Sequence, residues 1–114
     1  MGAGGRIVLI SSRAATGAAG RGQYAAAKAA QIALARSWAA ELVGRGITVN
    51  TVAPGATDTP MLTDGKRASS PPRVPPIGRL IRPREVAAAV AFLLSPDAAP
   101  ITGQTLVVCG GGSL

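Results

Sequence analysis

The sequence predicts an α/β domain, or part of one, in which a short parallel sheet is covered by helices. Three observations predict it. Two long stretches free of glycine and proline stand between three β-branched runs, giving the order strand, helix, strand, helix, strand, and such alternation specifies parallel pairing. Hydrophobic residues make up 47% of the 114 positions and charged residues 15%, the balance of a chain that folds around a core. A chain of this length buries roughly two thirds of its unfolded surface, so it needs neither disulfides nor a structural metal.

The run at 6–10, Arg-Ile-Val-Leu-Ile, is continuously apolar after its first residue, as expected of a strand buried on both faces. Glycines and small residues at 17–22 mark a loop. Residues 23–43 contain no glycine or proline and predict a helix of about six turns. On that helix Tyr24, Lys28 and Ile32 share a face. Leu34, Trp38 and Leu42 form another stripe that must be covered, and Glu41 with Arg45 makes a surface pair. Gly44 and Gly46 stop the helix, and 47–52, Ile-Thr-Val-Asn-Thr-Val, is the second strand, closed by Pro54-Gly55. Residues 56–80 hold five prolines and read as a mobile functional loop with at most one short helix after Pro60. Pro83 suits the first position of a helix over 83–94 with Glu85 in its first turn, although Arg82 is a poor cap. Residues 95–100 break that helix, and 104–109, Gln-Thr-Leu-Val-Val-Cys, is the third strand, before a glycine-rich end.

Composition excludes several functions. The chain has no histidine and one cysteine, Cys109, so thiolate or imidazole metal sites and Ser-His or Cys-His catalytic pairs are ruled out. Cys109 reads as a small buried hydrophobe. No apolar stretch reaches the ~18 residues of a membrane span, and Met1-Gly2-Ala3-Gly4-Gly5-Arg6 lacks the pattern of a signal peptide, so a soluble cytoplasmic protein is expected. The net charge of +7 comes from scattered residues enriched only over 66–84. With one Phe, one Tyr and one Trp there is no base-stacking surface, and nucleic acid is not expected as a partner.

The residues with most chemistry are Tyr24 and Lys28, which a helix brings onto one face within electrostatic reach. A nearby cation favours phenolate over phenol, and moving a tyrosine from about 10 to near 7 takes roughly 4 kcal/mol. Ser11 and Ser12 follow the first strand at its carboxyl end, where open α/β sheets place ligands, so one hydroxyl can hold a substrate oxygen beside the phenol.

The strings GRIVLISS, Tyr24-Ala-Ala-Ala-Lys28 and Gly46-Ile-Thr-Val-Asn-Thr-Val-Ala-Pro-Gly55 occur in that order. They are followed by Thr59-Pro60-Met61, the apolar helix from Pro83 to Ser95, and Ile101-Thr-Gly-Gln104 leading to Gly110-Gly111. Over nearly its whole length the chain resembles the short-chain dehydrogenase/reductase family, most closely its 3-oxoacyl carrier-protein reductase-like branch. The resemblance implies the carboxyl-terminal half of a Rossmann-type, doubly wound parallel sheet over 1–114. It implies an oxidoreductase that uses NADP(H) or NAD(H) on a ketone, a secondary alcohol or an acyl-carrier-linked substrate. It makes Ser12 the group that binds the carbonyl oxygen, Tyr24 the proton donor or acceptor, and Lys28 the residue that serves both the phenol and the nicotinamide ribose. Pro54, Gly55, the backbone at Thr57 and the hydroxyl of Thr59 would hold the nicotinamide carboxamide.

The family's glycine-rich dinucleotide turn has no counterpart in these residues, so the first half of the family domain is expected to be missing and the chain alone to bind cofactor poorly. The loop from Ser12 to Tyr24 is one residue shorter than in many members; a slipped register would pass the role of Ser12 to Ser11. The missing half would leave Leu34, Trp38 and Leu42 bare, favouring self-association and a homo-oligomer, and a non-enzymatic remnant is the alternative. Segment 56–80 is expected to be a substrate lid whose Lys66, Arg67, Arg73 and Arg79 meet an anionic carrier.

Overall fold

The computed structural model describes residues 1–60 and 73–114. Its sheet contains β1 (Arg6–Ile10), β2 (Thr48–Pro54) and β3 (Thr105–Val108) in the order β1-β2-β3, all parallel. Helix α1 (Gly22–Leu42) joins β1 to β2, and α2 (Pro83–Leu94) precedes β3. Arg6 lies opposite Thr48 and Ile10 opposite Val52, while Thr51 lies opposite Thr105 and Pro54 opposite Val108. In this register the carboxyl ends of all three strands share one edge of the sheet.

Strand β2 is central and buried, with Val49, Asn50, Thr51 and Val52 wholly inaccessible. A buried amide must have its hydrogen bonds made within the protein. Asn50 makes them to one loop: its Nδ2 donates to the Ile101 carbonyl at 2.9 Å and its Oδ1 accepts from the Gln104 N–H at 3.0 Å. Beside it the Val49 N–H donates to Thr102 Oγ1 at 3.0 Å and the Gly103 N–H to the Val49 carbonyl at 2.7 Å. The turn that delivers β3 is thereby tied across the central strand. On one side Val49 packs with Ala35 and Ala39 of α1, and Ile7, Leu9, Trp38 and Leu42 close around them. Alanines on the inner face let α1 approach the sheet closely.

Several expectations are corrected. The run at 6–10 is half-exposed rather than buried on both faces, because β1 is an edge strand paired on one side with β2, and Ile10 is 42% exposed. The stripe of α1 is not bare throughout: Trp38 and Leu42 lie against the core and Leu34 alone is exposed. Glu41 and Arg45 do not pair, since α1 ends at Leu42 and Arg45 lies in a 3-10 turn, Val43–Arg45, from which it donates to the Met1 carbonyl at 3.0 Å. Helix 83–94 has the expected bounds.

Within 56–80, the short helix expected after Pro60 and the basic residues Lys66 and Arg67 lie outside the described residues. The described ends are held rather than loose. Thr57 and Ile81 form a parallel bridge, and the Ile77 N–H donates to the Gly110 carbonyl at 3.1 Å. Arg79 is paired within the chain. Its guanidinium makes a two-pronged bond to Glu85 at 2.7 and 2.9 Å, the single ion pair among the described residues.

Glu85 also accepts from the Arg82 N–H at 2.9 Å, satisfying a free donor at the start of α2 that the Arg82 side chain leaves uncapped. The Arg79 hydrogen bond first, and the Arg82 N–H second, hold the Glu85 carboxyl below its ordinary value, at about 2. A carboxyl depressed on folding contributes stability above its unfolded pKa and loses it as the pH falls through the folded one. Glu85→Gln is therefore expected to lower the urea midpoint at pH 6 and to leave little difference from the parent at pH 2. An equal difference at both values would show that the ion pair does not hold this end of α2.

Candidate active site

Parallel pairing puts the residues after β1 beside those after β2. Ser11 is buried, and its N–H donates to the Val52 carbonyl at 2.8 Å, one step beyond the strand. Its hydroxyl donates to the Lys28 carbonyl at 2.7 Å, a strut between β1 and α1. Ser12 is different. Extended at φ −158° and ψ 151°, it caps the 3-10 turn Arg13–Thr16 by accepting the Ala14 N–H on Oγ at 3.0 Å. Its hydroxyl proton meets no acceptor among the described residues. The two serines left open by the sequence thus differ: Ser11 is bonded into the fold, and Ser12 keeps a hydrogen to give.

The turn that Ser12 caps packs on α1, whose first turn carries Tyr24, half-buried. Lys28 stands one turn on, with Nζ 5.7 Å from the centroid of the Tyr24 ring. The ammonium also donates to the Ile10 carbonyl at 3.4 Å, leaving two of its three hydrogens at the carboxyl end of β1. A second cation, which the sequence reading missed, sits closer: the Arg21 guanidinium carbon lies 4.2 Å from the ring centroid. Its signal was the spacing of three residues at a helix start. Both cations lie near the Tyr24 ring, Arg21 over its face.

Across the edge, Pro54 ends β2 and the Gly55 N–H donates to the Val108 carbonyl at 2.9 Å. A Cβ on Gly55 would stand 2.9 Å from Cys109 Cβ and 3.0 Å from its Cα, so only glycine allows this approach. Thr57 turns its hydroxyl back to the Gly55 carbonyl at 3.0 Å. The bridge to Ile81 uses the Ala56 carbonyl and the Asp58 N–H, which leaves the Thr57 N–H facing away from Ile81. Thr59 follows, half-buried and hydrogen-bonded or otherwise in contact. Cys109 is buried as expected, but its Sγ lies 3.2 Å from Ser113 Oγ, and that contact moves the thiol pKa below its ordinary value. Among the described residues no three His, Cys, Asp or Glu side chains gather as metal ligands would.

A family model described as enoyl-(acyl carrier protein) reductase matches residues 1–113. The chain belongs to the short-chain dehydrogenase/reductase family. It is 53% identical over 111 residues to the 3-oxoacyl-(acyl-carrier-protein) reductase of Vibrio cholerae, covering 94% of this chain and 45% of that protein. Against the enzyme of the same description from Escherichia coli the identity is 51% over the same shares. Among solved structures, an actinorhodin polyketide ketoreductase with NADPH superposes with a TM-score of 0.86 at 37% identity, over 96% of this chain and 48% of that one. A 3-oxoacyl-(acyl-carrier protein) reductase with bound NAD from Brucella melitensis gives 0.81 at 36% identity, over 96% and 41%. The chain spans about half the length of the curated relatives it matches. These neighbours confirm the family fold expected from the sequence.

The closeness of Gly55 to Cys109 yields a stability test. Gly55→Ala is expected to cost about 1–3 kcal/mol in urea unfolding, as overpacking commonly does, because the new methyl meets backbone rather than a movable side-chain tip. An unchanged midpoint would mean that the two strand ends separate freely.

Proposed function

We propose that this chain is the catalytic half of an NAD(P)-dependent oxidoreductase that moves a hydride between a nicotinamide and a ketone or secondary alcohol. The substrate class is a 3-oxoacyl thioester on an acyl carrier. The observation that carries this reading is the division of labour at the end of β1: Ser11 is tied into the fold, while Ser12 keeps a hydroxyl proton beside the turn that packs on the helix of Tyr24 and Lys28. The relatives named as 3-oxoacyl reductases support the substrate class, and those solved with NADPH and with NAD support the cofactor.

The residues present fit the nicotinamide end of that cofactor. The Thr57 N–H faces away from its bridge, and Lys28 has two ammonium hydrogens beyond the one given to Ile10, donors suited to a carboxamide oxygen and to ribose hydroxyls. Pro54, Gly55 and Thr59 complete this wall. When bound, the nicotinamide supplies or takes the hydride at the carbonyl carbon. Reduction drives negative charge onto the carbonyl oxygen. Ser12 donates a hydrogen bond to that oxygen, and Tyr24 gives it a proton; in the reverse direction Tyr24 takes the proton back. Lys28 and Arg21 both hold their charges near the Tyr24 ring. The same reading includes a cytoplasmic homo-oligomer, supported by the exposure of Leu34, Phe92, Leu94, Leu106 and Val107 and by the absence, among the described residues, of a helix able to cross a membrane.

The test is a chimera that joins the amino-terminal half of the Escherichia coli relative to this chain. Tyr24→Phe is expected to lower kcat by about 10²–10⁴-fold, the usual worth of a general acid, with the ring still packed. Ser12→Ala should lower kcat with little change in melting temperature. Ser11→Ala should instead lower the melting temperature, with a stability loss of about 1 kcal/mol for the severed strut. Lys28→Ala should weaken cofactor binding as well as turnover. Turnover of Tyr24→Phe within tenfold of the parent would overturn the reading, and a larger kcat loss for Ser11→Ala than for Ser12→Ala would exchange the serines.

A further inference from the structure

Beyond the site of Ser12 and Tyr24, a cavity of about 290 Å³ opens over the carboxyl ends of all three strands. Arg13 reaches it from the turn after β1, Ala56 from the end of β2, and Cys109 and Gly111 from the end of β3. Residues 73–76, on the arm returning from the loop, form another wall, and Leu114 closes the hollow. That arm is fixed in place: the Ile77 N–H donates to the Gly110 carbonyl at 3.1 Å, and a Cβ on Gly111 would stand 3.3 Å from the Pro76 ring. Glycine at 111, with φ +87°, therefore keeps this wall both close and narrow.

Two arginines from unrelated segments converge on the hollow. Neither side chain has a hydrogen bond or ion pair among the described residues, whereas Arg79, a few residues from Arg73, is neutralised by Glu85. Two guanidiniums bordering one space present planar forks of donors, a chemistry suited to an anion. The rest of the lining is proline rings, glycine backbone, Ala56, Val74 and the Cys109 thiol, which offer contact to carbon, together with Leu114, the last residue. The space holds about ten water volumes, enough for a molecule of roughly that many heavy atoms.

We propose that this cavity binds a small carboxylate-bearing molecule, with its carboxylate on Arg13 and Arg73 and its carbon chain along the Pro76 and Gly111 wall. Arg13 directly follows Ser12 in the chain, and the proposal extends the substrate class to oxo compounds with an acidic group. It rests on the proposed function only in taking the ligand as substrate; binding itself is independent of turnover.

Cys109 reports occupancy, since it lines the cavity and is the chain's one thiol. The rate of its alkylation by neutral iodoacetamide is measured on the full chain at low ionic strength, with glutarate, dimethyl glutarate or inorganic phosphate added. Glutarate is expected to slow alkylation at least threefold and to shift the Gly111 and Gly112 amide resonances, and the neutral diester to do neither. Arg13→Gln with Arg73→Gln should abolish the protection, while Arg84→Gln, on the exposed start of α2, should keep it. Equal protection by acid and diester, no protection with unmoved Gly111 and Gly112 resonances, or equal protection by phosphate would each overturn the proposal. The resonances of the unsubstituted chain decide the matter even if the double variant fails to fold. A chimera that reduces neutral ketones while glutarate leaves Cys109 unprotected would overturn the cavity and spare the catalytic reading.

Discussion

The arrangement depends on one buried amide. Asn50, at the middle of a central strand with no exposed surface, has its side-chain carbonyl and amino group bonded to the two ends of the 101–104 loop. An unsatisfied amide at such a position costs about 1–3 kcal/mol, so the loop cannot leave without exposing that penalty. The loop delivers β3, and β3 in turn sets the place of Gly55 through the Val108 carbonyl. A polar group in the core thus does what a hydrophobic one cannot: it selects a single register for the third strand.

From that register the site follows. With β2 fixed, Ser11 continues the β1 ladder onto Val52 and braces α1 through the Lys28 carbonyl. The brace fixes how far Lys28 extends past the strand end and therefore where Tyr24 stands. On the other flank, the contact of Gly55 with Cys109 turns the chain so that Thr57 bridges Ile81 and directs its own N–H the other way. The residues that follow β1 and β2 thus lie at the carboxyl edge of the sheet, the position where α/β sheets hold ligands because strand ends and loops diverge there.

Much of this was legible in the sequence because it rests on local rules. The bounds of α2 follow from Pro83 and Glu85, and those of α1 from the glycine-free stretch and the Gly44 to Gly46 stop. The pairing of Tyr24 with Lys28 follows from helical spacing. What was not legible is tertiary. The apolar composition of 6–10 reads as full burial, yet exposure of an edge strand depends on neighbours that its own residues do not encode. Leu34, Trp38 and Leu42 share one stripe at four-residue spacing, but Trp38 and Leu42 reach the core and Leu34 does not, because α1 meets β2 through Ala35 and Ala39. Ser11 and Ser12 are chemically identical, and only the hydrogen bonds around them tell which is free. Arg79 looked like a surface charge until its partner, six residues on, was seen across the start of α2.

The family model and the individual relatives carry descriptions that differ in the bond reduced, a carbon–carbon double bond for one and a carbonyl for the others. In the proposed mechanism the hydroxyls of Ser12 and Tyr24 serve one oxygen, which favours the carbonyl, since that is where charge develops when hydride reaches its carbon. The direct measurement offers the chimera a 3-oxoacyl thioester and the corresponding 2-enoyl thioester, each with nicotinamide cofactor deuterated at the transferred position, and identifies the products by mass. The expected result is a 3-hydroxyacyl product carrying one deuterium from the first substrate and unchanged second substrate. A saturated acyl product from the enoyl thioester, with the 3-oxoacyl thioester untouched, would contradict it.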